Sequence, residues 1–220
     1  MKPPSFVAGV VLAGGRSSRM GGDDKCLAPL AGTPVLAHVI DRLEPQVSAV
    51  AINANTEPSR LAGFGFPVVA DRIEGHAGPL AGLHAALLWA KDRGPNISCV
   101  VTVACDTPFL PDDLVERFLA ALDETGRECC VARSAVGVHP VIGLWPIAIA
   151  GTLEAALAQG QRTAKAWAEQ QGAVEVFFPP AQIGGRPVDP FFNINRPEDL
   201  AEANALLEQA KASRVDAADL

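Results

Sequence analysis

Short apolar runs alternate with amphipathic segments along the whole chain. This pattern predicts an α/β domain of three layers, with a mainly parallel central sheet and helices on both faces. Three stretches carry the prediction. Phe6–Leu12 is an apolar run stopped by glycines, as a strand buried on both faces should be. Cys99–Ala104 is β-branched and uncharged, the pattern of a central strand. Leu114, Val115, Phe118, Leu119 and Leu122 form an i, i+1, i+4, i+5, i+8 stripe, the apolar face of a helix.

The remaining elements follow in order. Pro34–Leu43 reads as a helix with Pro34 in its first turn, where a missing N–H costs nothing. Ala49–Asn53 and Pro67–Ala70 read as brief strands. Pro79 opens a second helix through Leu80, Leu83, Leu87 and Leu88 to Lys91, and the third is placed at Pro111–Leu122. Strands are expected at Cys129–Ala132, Val141–Trp145 and Val174–Phe178. Helices are expected at Ala148–Ala158, Thr163–Gln170 and Pro197–Lys211. Pro179–Pro190 reads as a Gly/Pro-rich loop too short to link domains. The expected organisation is one domain over residues 1–212 and a flexible tail over 213–220.

A chain of 220 residues has ample length for one hydrophobic core. Its net charge of −7 disfavours nucleic acid as a partner, which needs a basic footprint. No apolar run approaches the roughly 18 residues of a membrane helix, so no membrane partner is expected. Cys26, Cys99, Cys105, Cys129 and Cys130 show no C-x-x-C pair and no zinc spacing. They read as reduced thiols acting as small apolar residues in a cytoplasmic protein, with Cys105 a buried filler.

Within this acidic chain, positive charge gathers at the amino-terminal end. Lys2, Arg16, Arg19 and Lys25 outweigh Asp23 and Asp24 there. The first strand runs into LAGGRSSRMGGDDK at 12–25, whose glycines let backbone N–H groups approach phosphate oxygens while Arg16, Arg19 and Lys25 supply cations. The loop matches neither G-x-x-x-x-G-K-[ST] nor G-x-G-x-x-G. A surface loop whose glycines only make turns is the plainer alternative.

The loop resembles the signature of the molybdenum cofactor guanylyltransferases, nucleotidyltransferases with a Rossmann-like, GT-A-like sheet. The resemblance continues through Asn53 at the end of the second strand and Asp71 in VVADRIEGHAGPLAG. It extends to Asp106 in VACDTPFLP, to His139-Pro140 and to FFNINRPEDL at 191–200. It implies transfer of GMP from GTP to the terminal phosphate of molybdopterin or molybdenum-molybdopterin, with release of pyrophosphate and dependence on Mg2+. Other cofactor-assembly proteins or molybdoenzyme chaperones are further implied partners. By resemblance, Leu12, Ala13, Gly14, Gly15, Lys25, Asn53, Asp71 and Asp106 bind the nucleotide. Lys25, Arg19 and Asp106 are the implied catalytic residues, and Asp106 is also the metal ligand. His139, Asn193 and Asn195 are implied at the acceptor.

Each position also has its own chemistry. Asp106 follows an apolar strand at the carboxyl edge, where α/β sheets bind ligands, and a carboxylate there suits Mg2+ on a triphosphate. Turn residue is the alternative. Asn53 and Asp71 each follow a strand and carry oxygens that suit guanine N–H donors or ribose hydroxyls. Taken alone, Asn53 reads more readily as a strand-end turn residue, and Asp71 can be half of an exposed pair with Arg72. Gly75, Gly78 and Gly82 around Pro79 either line the cleft or let the helix pack tightly. A lone histidine such as His139 is more often a hydrogen-bonded structural group. Pro197 makes Arg196, a poor cap, the nominal helix cap, which leaves Asn195 to cap or to reach into the site.

Two rivals stand beside guanylyl transfer. One is a related transferase using CTP or a sugar phosphate acceptor, although sugar enzymes usually show G-x-G-T-R-L where this chain has Gly15-Arg16-Ser17-Ser18-Arg19-Met20. The other is a non-enzymatic nucleotide-binding module that delivers the cofactor. The double glycine Gly14-Gly15 favours guanylyl over cytidylyl transfer by the same resemblance.

Overall fold

The computed structural model describes residues 3–14, 25–73 and 78–218, with side chains described as far as residue 212. The central sheet contains β1 (Val7–Leu12), β4 (Val50–Asn53), β5 (Val68–Val69), β6 (Cys99–Ala104), β7 (Cys130–Ser134), β8 (Gly137–Pro146) and β9 (Val174–Phe177). They are ordered β5-β4-β1-β6-β8-β7-β9. The neighbours β5/β4, β4/β1, β1/β6 and β7/β9 pair in parallel, while β8 runs antiparallel to both β6 and β7. The mainly parallel sheet expected from the sequence is therefore what forms.

Its two faces are separate cores. Alternation along β1 sends Val7 and Val11 to one face, where α1 (Val35–Leu43) and α3 (Leu114–Thr125) bury Leu36, Ile40, Leu114 and Phe118. Ala8, Val10 and Leu12 go to the other face, against α2 (Pro79–Asp92), α4 (Ala150–Ala158) and α5 (Ala164–Gln170). Each fully buried Leu or Phe contributes about 2 kcal/mol of apolar transfer to holding these layers. Gly9 is needed for close packing on the first face, because a Cβ there would sit 3.0 Å from Leu43 Cδ2.

A third, smaller cluster lies beside the sheet. Leu30, Val35, Phe109, Val188, Ile194, Ala203 and Leu206 join the hairpin β2–β3 (Pro29–Leu30, Thr33–Pro34), the hairpin β10–β11 (Ala181–Ile183, Arg186–Val188) and α6 (Pro197–Ala218). The second hairpin replaces the loop expected over Pro179–Pro190. Its strands are too short to show an alternating pattern, and Pro187 argues against a strand. What closes it is Gly184 and Gly185 at φ 57° and 75°. A Cβ on Gly184 would also lie 2.9 Å from the Leu206 carbonyl oxygen, so the turn is packed hard against α6.

The helix expected at Pro111–Leu122 is displaced toward the carboxyl end. Leu114 N–H bonds the Pro111 carbonyl in a preceding turn, and the helix runs to Gly126, which ends it in the left-handed region at φ 65°. The final helix likewise continues past Lys211 to Ala218.

Candidate active site

The register of the sheet builds the site. Leu12 lies opposite Asn53 on β4 and opposite Ala104 on β6, so three parallel strands end in one row. The chain leaves β1 toward α1 on one face, whereas α2 lies on the other. The crevice outside this row is thus the switch point at which open α/β sheets bind ligands. A cleft of about 810 Å³ opens there. Its lining includes Leu12, Ala13, Gly14, Lys25, Asn53, Asp71, Asp106 and Asn193 from the positions expected to bind nucleotide or acceptor. Gly15 and Arg19, with Arg16 and Gly75, lie outside the described residues.

At the β6 side, Asp106 is buried and its Oδ2 is paired with Lys25 Nζ. The same ammonium donates to Asn195 Oδ1 at 2.9 Å. Asp106 Oδ1 is buried and has no hydrogen-bond partner among the described residues. A buried carboxylate oxygen left unpaired is costly, so this oxygen suits a cation or donor brought into the cleft. Among the described residues, no three His, Cys, Asp or Glu side chains converge as a metal cluster. The site therefore suits a cation held by one carboxylate and by substrate phosphates, which is how Mg2+ is usually held.

Asn195 is free to reach Lys25 because another residue caps α6. Asp199 Oδ2 accepts the backbone N–H groups of both Asn195 and Arg196 at 2.8 Å. The Asp106 carbonyl accepts Ile194 N–H at 2.9 Å, which ties the 193–195 segment to the carboxyl end of β6. His139 is elsewhere. Its Nε2 is 2.8 Å from Ser134 Oγ and its ring lies 4.7 Å from that of Phe191, while burial lowers its pKa against a smaller opposing effect of Asp189. Among the described residues His139 does not line this cleft.

On the β4/β5 side, Asn53 is buried and donates from Nδ2 to the Val69 carbonyl at 3.0 Å and to Asp71 Oδ1 at 2.9 Å. Asp71 does not pair with Arg72, whose guanidinium instead meets Asp92 at 3.2 Å. Gly78, Pro79 and Gly82 line the cleft, and Gly82 also satisfies the packing alternative. A Cβ on Gly82 would fall 2.5 Å from Asn53 Oδ1, so only glycine lets α2 close over that asparagine. Sequence reasoning passed over Asn55, Thr56 and Arg60, which line the same wall. The available signal was Asn53-Ala54-Asn55, whose spacing of two puts both amides on one side at the strand end.

The expectation of five reduced thiols is corrected by a disulfide between Cys26 and Cys105, with Cα atoms 5.7 Å apart. Sequence neighbours could not reveal it, because the partners are separated by 79 positions and meet only when the Lys25–Leu27 turn comes against the end of β6. The bond joins the residue after Lys25 to the residue before Asp106. Cys99, Cys129 and Cys130 are free, and burial, assisted by Glu128, pushes the Cys129 thiol up to about 11. Protein denatured without reductant is expected to titrate three thiols with a chromogenic disulfide, and five after reduction. Five thiols before reduction would remove the bond.

Known proteins similar to this chain are numerous. The family model described as the MobA-like NTP transferase domain matches residues 9–175. The molybdenum cofactor guanylyltransferase of Mesorhizobium japonicum is 47% identical over 203 residues, covering 92% of this chain and 96% of the relative. That of Rhizobium leguminosarum bv. trifolii is 46% identical over 209 residues, covering 94% and 96%. The crystal structure of molybdopterin-guanine dinucleotide biosynthesis protein A from Archaeoglobus fulgidus superposes with a TM-score of 0.68 at 22% identity. It covers 92% of this chain and 99% of that one, a likeness of fold.

Proposed function

We infer the reaction of this nucleotidyltransferase from its membership: the chain belongs to the MobA-like NTP transferase family. It transfers GMP from GTP to the terminal phosphate of molybdopterin, or of molybdenum-molybdopterin, and forms the guanine dinucleotide cofactor. The observation that carries this reading is the buried Asp106 Oδ1, without a partner among the described residues, beside Lys25 in a cleft whose other wall presents amide and carboxylate groups. One wall suits a metal-bound triphosphate, and the other suits the edge of a base.

The chemistry needs no covalent intermediate on the enzyme. A terminal phosphate oxygen of the acceptor attacks the α-phosphorus of GTP, the bond from that phosphorus to the bridging oxygen breaks, and pyrophosphate leaves with the electron pair. The nucleophile is already anionic, so no general base is required. Positioning and electrostatics supply the rate. Asp106 would hold a divalent metal, proposed to be Mg2+, which when bound would supply charge neutralisation for the triphosphate and the leaving pyrophosphate. Lys25 leaves its pairing with Asp106 to meet phosphate oxygens. Gly14 just past β1 lines the cleft beside Lys25, and the glycines and Arg19 of the following loop are proposed to supply N–H donors and charge to the phosphates. Asn53 and Asp71 hold the nucleoside, with Leu12 against it. Asn193 and Asn195 lie on the acceptor side, and His139 is assigned there by family resemblance alone. Residues 1–212 are taken as the catalytic domain, with 213–220 as a terminal extension. The proposed place of action is the cytoplasm, with cofactor-assembly proteins or molybdoenzyme chaperones as further partners. No helix of the described residues is long and apolar enough to cross a membrane.

Base choice tests the reading. A cleft whose polar groups match one base leaves them unpaired against another, and such sites reject the wrong ligand by about 1,000-fold or more. Purified protein with molybdopterin, Mg2+ and each nucleotide in turn should release pyrophosphate with GTP and not with CTP or ATP, and the product mass should be the guanine dinucleotide. Equal turnover of CTP and GTP would overturn the guanylyl assignment. Tight GTP binding without any turnover would favour a delivery module.

A further inference from the structure

Asp71 is held in an unusual way for a carboxylate at a cleft. Among the described residues no ion pair involves it, and both its oxygens instead accept neutral amide N–H groups. Asn53 Nδ2 donates to Oδ1 at 2.9 Å, and Asn55 Nδ2 donates to Oδ2 at 2.8 Å. Asn55 Oδ1 in turn accepts the backbone N–H of Asp71 at 2.8 Å. Asn55 and Asp71 thus close a ring, donor to acceptor in both directions, although Asn55 is exposed and water competes for its amide.

The geometry points to Asn55 as a positioning residue that fixes the plane of the Asp71 carboxylate to receive the two N–H donors on one edge of guanine. This rests on the GTP reading given above. Asn53 cannot do the work alone. It holds one oxygen from a buried position packed against Gly82, which leaves the carboxylate free to swing about that single bond. Asn55 adds the second oxygen and the backbone of the same residue. Each carboxylate oxygen has two lone pairs, so one amide bond apiece leaves an in-plane acceptor on both. Guanine offers its ring N–H and its amino group side by side, whereas adenine and cytosine do not offer two such donors together. The sheet order sets the distance. β5 and β4 lie on one side of β1 and β6 on the other, so Asp71 and Asp106 stand three strand spacings apart, about 14 Å. That separation leaves room for a nucleotide lying with its phosphates at Lys25 and its base at Asp71.

The test uses the full chain, its Asn55→Ala variant and the conservative Asn55→Gln variant, with GTP, ITP and 2′-deoxyGTP. ITP keeps the ring N–H and lacks the amino group. The alanine variant should raise KM for GTP about tenfold, with kcat within about twofold, and should lower the GTP-to-ITP ratio of kcat/KM by about tenfold. Asn55→Gln, which retains an amide, should recover part of that ratio at unchanged melting temperature. Equal losses for GTP and ITP would overturn the proposal, as would a fall in kcat at constant KM. A change confined to the comparison of GTP with 2′-deoxyGTP would place Asp71 on the ribose and overturn it as well. Calorimetric binding of GTP and ITP reads the same ratio without turnover. A wild-type chain that binds with this selectivity yet transfers nothing would therefore sink the transfer reading alone, and one that binds neither nucleotide would sink both.

Discussion

Asp106→Ala is expected to lower kcat for pyrophosphate release by about 1,000-fold or more, with little change in stability. The size follows from what the carboxylate does. Holding the metal against developing charge is worth several kcal/mol, and roughly 4 kcal/mol is about three powers of ten in rate. The small stability effect follows from the surroundings. Lys25 loses the carboxylate but keeps Asn195 Oδ1 at 2.9 Å and is partly open to water, so no charge is stranded. The Asp106 carbonyl still accepts Ile194 N–H, because that bond belongs to the backbone, and the 193–195 segment stays tied. Circular dichroism and a melting curve should match wild type within about 1 kcal/mol of stability. Turnover near wild type at low Mg2+ would remove Asp106 from the mechanism.

Asp106 was legible in the sequence because β6 is legible. A β-branched, uncharged run identifies a central strand, and the first polar residues after it must stand at the ligand-binding edge. The same logic reaches Asn53 and Asp71, and register does the rest by setting Leu12, Asn53 and Ala104 side by side. What the sequence hid depends on pairing across distance. The antiparallel direction of β8 is decided by its partners β6 and β7, and nothing in Val141–Trp145 encodes direction. The Cys26–Cys105 bond and the Asn55–Asp71 ring join positions whose nearness exists only after the sheet forms. Asn195 is a subtler case. The capping signal at Pro197 was visible, but the cap is Asp199 reaching backward, and this releases the asparagine to Lys25. For His139, family resemblance suggested the acceptor, and the structure adds a half-buried imidazole paired with Ser134 Oγ, a contact that sequence spacing did not show.

Lys25→Ala should lower kcat/KM by about 100-fold or more, the usual effect of removing a donor aimed at transition-state charge. Unlike Asp106→Ala, it should also destabilise the protein. Asp106 then remains buried, one oxygen without a partner among the described residues and the other deprived of its cation. Breaking a largely buried pair from the lysine side leaves an uncompensated carboxylate, at a cost of about 2 kcal/mol after allowance for the partial exposure of Lys25. The two substitutions are therefore not additive. The Lys25→Ala/Asp106→Ala double variant should recover most of the lost stability while remaining inactive, because no charge is stranded when both are gone. Lys25→Arg should restore stability better than rate. A guanidinium neutralises Asp106, but it is a broad planar fork and cannot occupy the compact position between Asp106 and Asn195 from which an ammonium moves to the phosphates. Urea melts of wild type and the four variants, paired with pyrophosphate release at saturating Mg2+, separate these effects. If Lys25→Ala keeps wild-type kcat/KM, the lysine only neutralises Asp106 and has no part in transfer. If the double variant is no more stable than Lys25→Ala, the stranded-charge account of the pair fails.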